Sequence, residues 1–230
     1  MLRWLVLALV GSRLLVLTAG IDAVYFDEEL ATGLIGVHLI DGLRLPFLDY
    51  QIAPHLGGTL LMGAIAAPLF FLFGEHLLAL KLAPLLVHVG VMVVWYRCCD
   101  RHFGRPAAIL TAVLFIVPPQ LLTRFSLVAV GFHPESLLFT AAAAWLLFRI
   151  TCRSQTPTWC YVALGFVFGL GTWFAYIFVP TVVTSLLYWT LVDRRWMVRR
   201  TAIAVVLGGM LGVLPWLAYN VTHQWSGLAW

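Results

Sequence analysis

Three consecutive acids, Asp27, Glu28 and Glu29, close an apolar run in a chain with only ten acids among 230 residues. A carboxylate held rigidly at a membrane surface can take part in proton-transfer chemistry. Asp27 and Glu28 are the candidates. Glu29 is expected to matter less, because adjacent helical positions point in different directions. A second stretch, "RFSLVAVGFHPESLLF" (residues 124–139), offers Arg124, His133 and Glu135. A third, "LPFLDYQIAPHLGG" (residues 45–58), adds Tyr50 and His55. Arg13 and Lys81 lie within apolar runs, and both residue types suit a phosphate group. An arginine deep in a bilayer costs about 2.5–3.5 kcal/mol on insertion scales, so Arg13 must pair, snorkel or line a polar cavity.

Each of these residues also has a plainer use. Asp27 can cap a short interfacial helix, "DEELATGLIGVHLIDG", with Leu30, Leu34 and Val37 as its stripe and Glu28 and Glu29 in its first turn. Pro134 and Glu135 suit the first turn of a following helix. Tyr50 can serve as an interfacial anchor, and His88 as a packed mid-helix residue.

The elements that must position these groups are membrane helices. The chain is 62% apolar and 10% charged, with a mean hydropathy of +0.97. A soluble domain carries about 25% charged residues. The net charge of +4 bears on topology and does not point to nucleic acid. Apolar runs cover residues 2–21, 55–74, 77–96, 106–122, 136–150, 159–176, 177–192 and 201–219. Three basic loops contain Arg97, Arg101 and Arg105; Arg149 and Arg153; and Arg194, Arg195, Arg199 and Arg200. Two runs separate each loop from the next, so all three share a side, the cytoplasm by the positive-inside rule. If Arg3 is on that side too, one of the first three runs does not cross.

The Gly- and Pro-punctuated run 55–74 is the candidate, as a re-entrant or interfacial hairpin. The expected fold is an all-α polytopic bundle of about seven spans with outer juxtamembrane helices, forming one module over residues 1–230. Eight acids then fall outside, and only Asp100 and Asp193 inside. The spacings Gly165/Gly169 and Gly208/Gly212 read as helix contacts. Cys98, Cys99, Cys152 and Cys160 form no metal-binding spacing and are expected as reduced thiols. Arg13 interrupts the first run, which argues against a cleaved signal peptide.

"YFDEE" after the first span resembles the Asp-Glu motif in the first outer loop of GT-C glycosyltransferases, which include protein O-mannosyltransferases and lipid A aminoarabinose transferases. "LPFLDYQIAPHLGGTLLMGAIAAPLFFLFG", "CCDRHFGRPAAILTAVLFIVPP" and "GVLPWLAYNVTHQWSG" resemble further segments of those enzymes in the same order. "HPESLLF" occupies the place of the second-loop acidic motif, with His-Pro-Glu where Asp is often found. The resemblance spans nearly the whole chain. It implies a multi-pass protein of a bacterial inner or plasma membrane, active on the extracytoplasmic face. The donor would be a polyprenyl-phosphate-linked sugar, transferred with inversion to a lipid, glycan or protein acceptor. Asp27 would be the base. Arg124, Lys81 and Arg13 would attend the lipid phosphate, and Glu28 or Glu135 would orient the acceptor or help bind a divalent cation. Tyr50, His55 and His133 would complete the substrate contacts. Family members usually continue beyond the point matching Trp230, which implies a chain truncated at its C-terminus. The rival readings are a transporter or flippase of a lipid-linked substrate, which predicts inverted repeats and charge near the midplane, and a non-catalytic membrane scaffold.

Overall fold

The computed structural model describes residues 1–53, 56–132, 134–152 and 155–228. Among them all regular structure is helical, as the apolar runs require, because lipid offers no partner for an open strand edge. The helices are α1 (Leu2–Gly20), α2 (Glu29–Asp41), α3 (Gly58–Phe73), α4 (Leu77–His102), α5 (Arg105–Ile116), α6 (Gln120–Phe125), α7 (Leu137–Thr151), α8 (Thr158–Phe174), α9 (Val179–Val192) and α10 (Arg200–Thr222). By length and hydropathy α1, α4 and α10 can cross a bilayer, and five more apolar helices are shorter. The chain forms two compact units, Met1–Ile52 with Gly58–Leu138, and Ala53–Gly57 with Phe139–Trp230.

In the first unit α1 packs on α4 and α5, α2 on α3, and α3 and α5 on α4. Leu9, Met92, Tyr96, Ala108 and Ala112 form one core cluster. Leu17, Val24 and Leu85 form another with Leu127, Val128 and Val130 from the loop after α6. Large apolar side chains such as Leu7, Leu15 and Phe71 point outward, while several charges lie inside. This distribution suits lipid surroundings, where an outward leucine costs nothing and a buried polar group must find its partners within the protein.

Two expectations for this unit are corrected. The run 106–122 is not one helix. Pro118 and Pro119 lack the N–H donors a helix needs, so α5 stops at Ile116 and α6 restarts at Gln120. The helix containing "ELATG" is present, but Asp27 is not its cap. Glu28 holds that position, without a side-chain cap bond. The stripe of Leu30 and Leu34 faces outward. The inward face is Glu29, Thr32, Gly33, Ile35 and Gly36, whose small residues let α2 lie close to α3.

In the second unit α8 and α10 make the most extensive helix contact. A Cβ on Gly165 would meet the Val205 carbonyl oxygen at 1.9 Å, and one on Gly208 the Val162 oxygen at 2.0 Å. Gly169 and Gly212 are similarly closed by the facing backbone. Both Gly-xxx-Gly spacings therefore serve one helix pair within the chain, where close backbone approach supplies packing that lipid cannot. Leu164, Phe168, Phe178 and Trp189 build the core beside it.

Candidate active site at the end of the first helix

Glu29, not Asp27, is the enclosed member of the acidic triplet. Its carboxylate is fully buried and accepts hydrogen bonds from Lys81 Nζ at 2.5 and 2.8 Å. Lys81 lies near the start of α4, is equally buried, and also donates to the Val24 carbonyl oxygen at 2.5 Å. Glu29 further accepts from the backbone N–H groups of Phe26 at 3.2 Å and Ala129 at 3.4 Å. One ion pair thus fixes the turn before α2, the face of α4 and the loop after α6. This burial gives Glu29 a structural role that its two exposed neighbours do not share. The pairing also occupies the ammonium of Lys81, which leaves it none of the exposure that a lipid phosphate would need. The signal was present in the sequence: Thr32, Gly33 and Gly36 share the face of Glu29, and a small-residue face marks the side turned toward another helix.

The turn held by this pair presents Asp27 and Glu28 outward, and both are exposed. Tyr25, which the sequence reading did not single out, lies beside Asp27. Partial burial raises its phenol above the ordinary value, with a further contribution from the charge of Asp27 and a hydrogen bond to it. Arg124, at the end of α6, is also exposed and donates through Nη2 to the Tyr25 carbonyl oxygen at 3.2 Å. A groove of about 470 Å³ runs alongside. Val16, Ala19 and Leu121 form its apolar part, and Gln120, Thr123 and Arg124 its polar part. The structure therefore brings Asp27 and Arg124 to one neighbourhood, through Tyr25, at the edge of an apolar groove.

Arg13 is buried and used internally. Its guanidinium donates to the Phe115 oxygen at 2.7 Å, the Ile116 oxygen at 3.1 Å and Ser126 Oγ at 2.8 Å. Phe115 and Ile116 end α5, where the proline break leaves carbonyls without helical partners. A cation at a helix C-terminus satisfies them and complements the dipole. The cost of a mid-membrane arginine and the broken helix thus resolve each other, with the Arg13 guanidinium engaged inside the first unit.

Glu135 is also enclosed. It accepts a hydrogen bond from the Gly131 N–H at 3.2 Å through Oε1, and burial pushes its carboxyl up to about 7. Gly131 has φ +78°, and a Cβ there would meet the Gly58 carbonyl carbon at 2.4 Å. The loop 127–131 is consequently packed flat and buried, with Glu135 as an internal partner. The expected meeting of Glu135 with Asp27 on an open face is not what this arrangement presents. Tyr50 closes its own loop, its hydroxyl accepting from the N–H groups of Arg44 at 2.9 Å and Leu45 at 3.2 Å. His55 and His133 lie outside the described residues. Among the described residues no group of three His, Cys, Asp or Glu side chains could hold a metal ion.

Residues 58–219 match the family described as dolichyl-phosphate-mannose-protein mannosyltransferase. The match covers more than half of the chain and contains Lys81, Arg124 and Glu135. Asp27, Glu28 and Glu29 precede it. No curated protein and no solved structure matches the chain.

Proposed function

We propose, for a chain that belongs to the dolichyl-phosphate-mannose-protein mannosyltransferase family, that Asp27 and Arg124 are the working residues of a polyprenyl-phosphate-dependent glycosyl transfer. The membrane glycosyltransferase character comes with the family. The reading of the site rests on one observation: an exposed Asp27 and an exposed Arg124 joined through Tyr25 at the edge of the groove.

In this reading the first isoprene units of the donor lie against Val16, Ala19 and Leu121. The phosphate reaches Arg124, whose planar guanidinium retains donors beyond the one given to Tyr25. The acceptor hydroxyl oxygen attacks the anomeric carbon from the face opposite the phosphate. The new C–O bond forms as the C–O bond to phosphate breaks, with inversion. The polyprenyl phosphate leaves with the bonding electron pair, its charge stabilised by Arg124. The hydroxyl proton passes to Asp27. Glu28, exposed beside Asp27, orients the acceptor in this reading. The acceptor is a lipid, a glycan or a protein, and the reaction faces the extracytoplasmic side of a bacterial inner membrane. The Lys81–Glu29 pair holds the Asp27 turn in place without touching substrate.

The test is a transfer assay with purified protein and polyprenyl-phosphate mannose. Asp27→Asn keeps the shape of the side chain and removes the base. It should fold normally and lose about 10²–10⁴-fold in turnover, the usual share of a general base. Arg124→Ala should raise the donor KM more than it lowers turnover. Near-normal turnover by Asp27→Asn removes Asp27 from the chemistry.

A further inference from the structure

The second unit contains a cavity of about 240 Å³ where α7 ends, α8 and α9 approach and α10 begins. We infer that it binds a phosphate group, as borne by the headgroup of an anionic phospholipid. This site is independent of the groove beside Arg124 and of the transfer reaction.

Its wall is an aromatic stack. Tyr161 and Trp189 lie with ring centroids 5.9 Å apart, and Trp189 and Trp196 at 4.4 Å and 11°. Trp196 is fixed in place by a 3.0 Å bond from its indole N–H to Thr190 Oγ1. Rigid aromatic rings at this level suit the lipid interface. The polar lining is Thr151, Thr156, Tyr161 and Thr201 with one acid, Asp193, and one base, Arg199.

The electrostatics favour an anion. Arg194, Arg195, Arg199 and Arg200 follow Asp193 within eight residues. Asp193 is already satisfied, accepting from Arg199 Nη1 at 2.7 Å and from the Arg195 N–H at 3.2 Å. A guanidinium has five N–H donors, so Arg199 retains donors after serving Asp193. Arg199 also precedes α10, a helix of 23 residues whose start has no side-chain cap. The positive end of its dipole adds to the same field. Within the cavity Arg199 balances Asp193, and the excess positive charge comes from the neighbouring Arg194, Arg195 and Arg200; basic sites between helix ends hold lipid phosphates.

The experiment titrates the purified full chain in neutral detergent with phosphatidylglycerol, phosphatidylcholine and inorganic phosphate, reading lipid adducts by native mass spectrometry and phosphate by tryptophan fluorescence. Phosphatidylglycerol should bind about tenfold more tightly than phosphatidylcholine. Arg199→Gln should weaken it about tenfold, and Thr201→Val, which spares the ion pair, about threefold. Arg194→Gln, outside the cavity, should change it less than about twofold. Inorganic phosphate binding with the same Arg199 dependence and equal affinity supports the site but assigns it to a soluble anion. The inference is overturned if neither phosphatidylglycerol nor phosphate is preferred. It is equally overturned if Arg194→Gln costs as much as Arg199→Gln, or if Arg199→Gln and Thr201→Val both bind as wild type.

Discussion

Replacing Glu29 by Ala strands a buried ammonium. Lys81 and Glu29 are both fully buried, so the survivor is left far from bulk water. Lys81 Nζ keeps only the Val24 carbonyl oxygen, and the N–H groups of Phe26 and Ala129 lose their acceptor. Removing one partner of a buried pair costs about 3–5 kcal/mol. The lost amide partners belong to the same network, so their cost is not added separately. At roughly 2–4 °C per kcal/mol for a chain of this length, the melting temperature should fall by about 6–20 °C. Combining Glu29→Met with Lys81→Met removes both charges while keeping volume, and should recover more than half of that loss. Thermal unfolding in detergent, followed by tryptophan fluorescence, measures both variants. A single variant within about 2 °C of wild type, or a double variant as unstable as the single, would refute the claim that the pair is buried and mutually dependent.

Gly208→Leu forces side-chain atoms into the Val162 carbonyl and should destabilise the second unit by about 1–3 kcal/mol, the usual cost of overpacking; Gly11→Leu, at a glycine with no neighbour within 4 Å, serves as the control in the same melt. Glu135 carries a pH signature. Its carboxyl stands at about 7 when folded, above its ordinary 4.5, so the folded state holds the proton more tightly than the unfolded state. Its contribution is complete below about pH 4.5, declines as pH rises toward 7, and is absent above. Glu135→Gln should remove that slope, seen as a wild-type-minus-variant melting difference that shrinks between pH 4.5 and 8 and turns against the wild type.

The helical fold could be read from the sequence because a bilayer permits few alternatives, and runs of about twenty apolar residues announce it. That Gly165/Gly169 and Gly208/Gly212 mark helix contacts was legible for a similar reason, because glycines four apart permit close backbone approach in a membrane helix; that the two motifs face each other was not. The candidate site was legible by residue type and less so by direction. Asp27 and Arg124 stood out by type and are the exposed pair of the candidate site, but nothing in "DEE" alone states which carboxylate turns inward. That is decided by which face of α2 is small enough to meet α3. In the sequence Arg13 and Lys81 read as phosphate contacts and Glu135 as an acceptor-orienting acid, with internal pairing of Arg13 equally open. In the structure Arg13 meets carbonyls at the Pro118–Pro119 break, Glu135 an amide of the loop after α6, and Lys81 the Glu29 carboxylate and the Val24 carbonyl. Such breaks create internal demand for charge, and that demand becomes visible only once the helix ends are placed.

The glycine contact between α8 and α10 also fixes an order of events during synthesis. Gly165 and Gly208 are separated by roughly forty residues, which a ribosome adding about 5–20 residues per second takes some 2–8 s to make. Through that interval the glycine face of α8 is without α10, the partner that covers it in the finished molecule. Substitutions that slow the arrival of α10, such as added charge at the exposed Ile203 or Val206, would therefore reduce the yield of folded protein while leaving the packed face of the finished molecule intact.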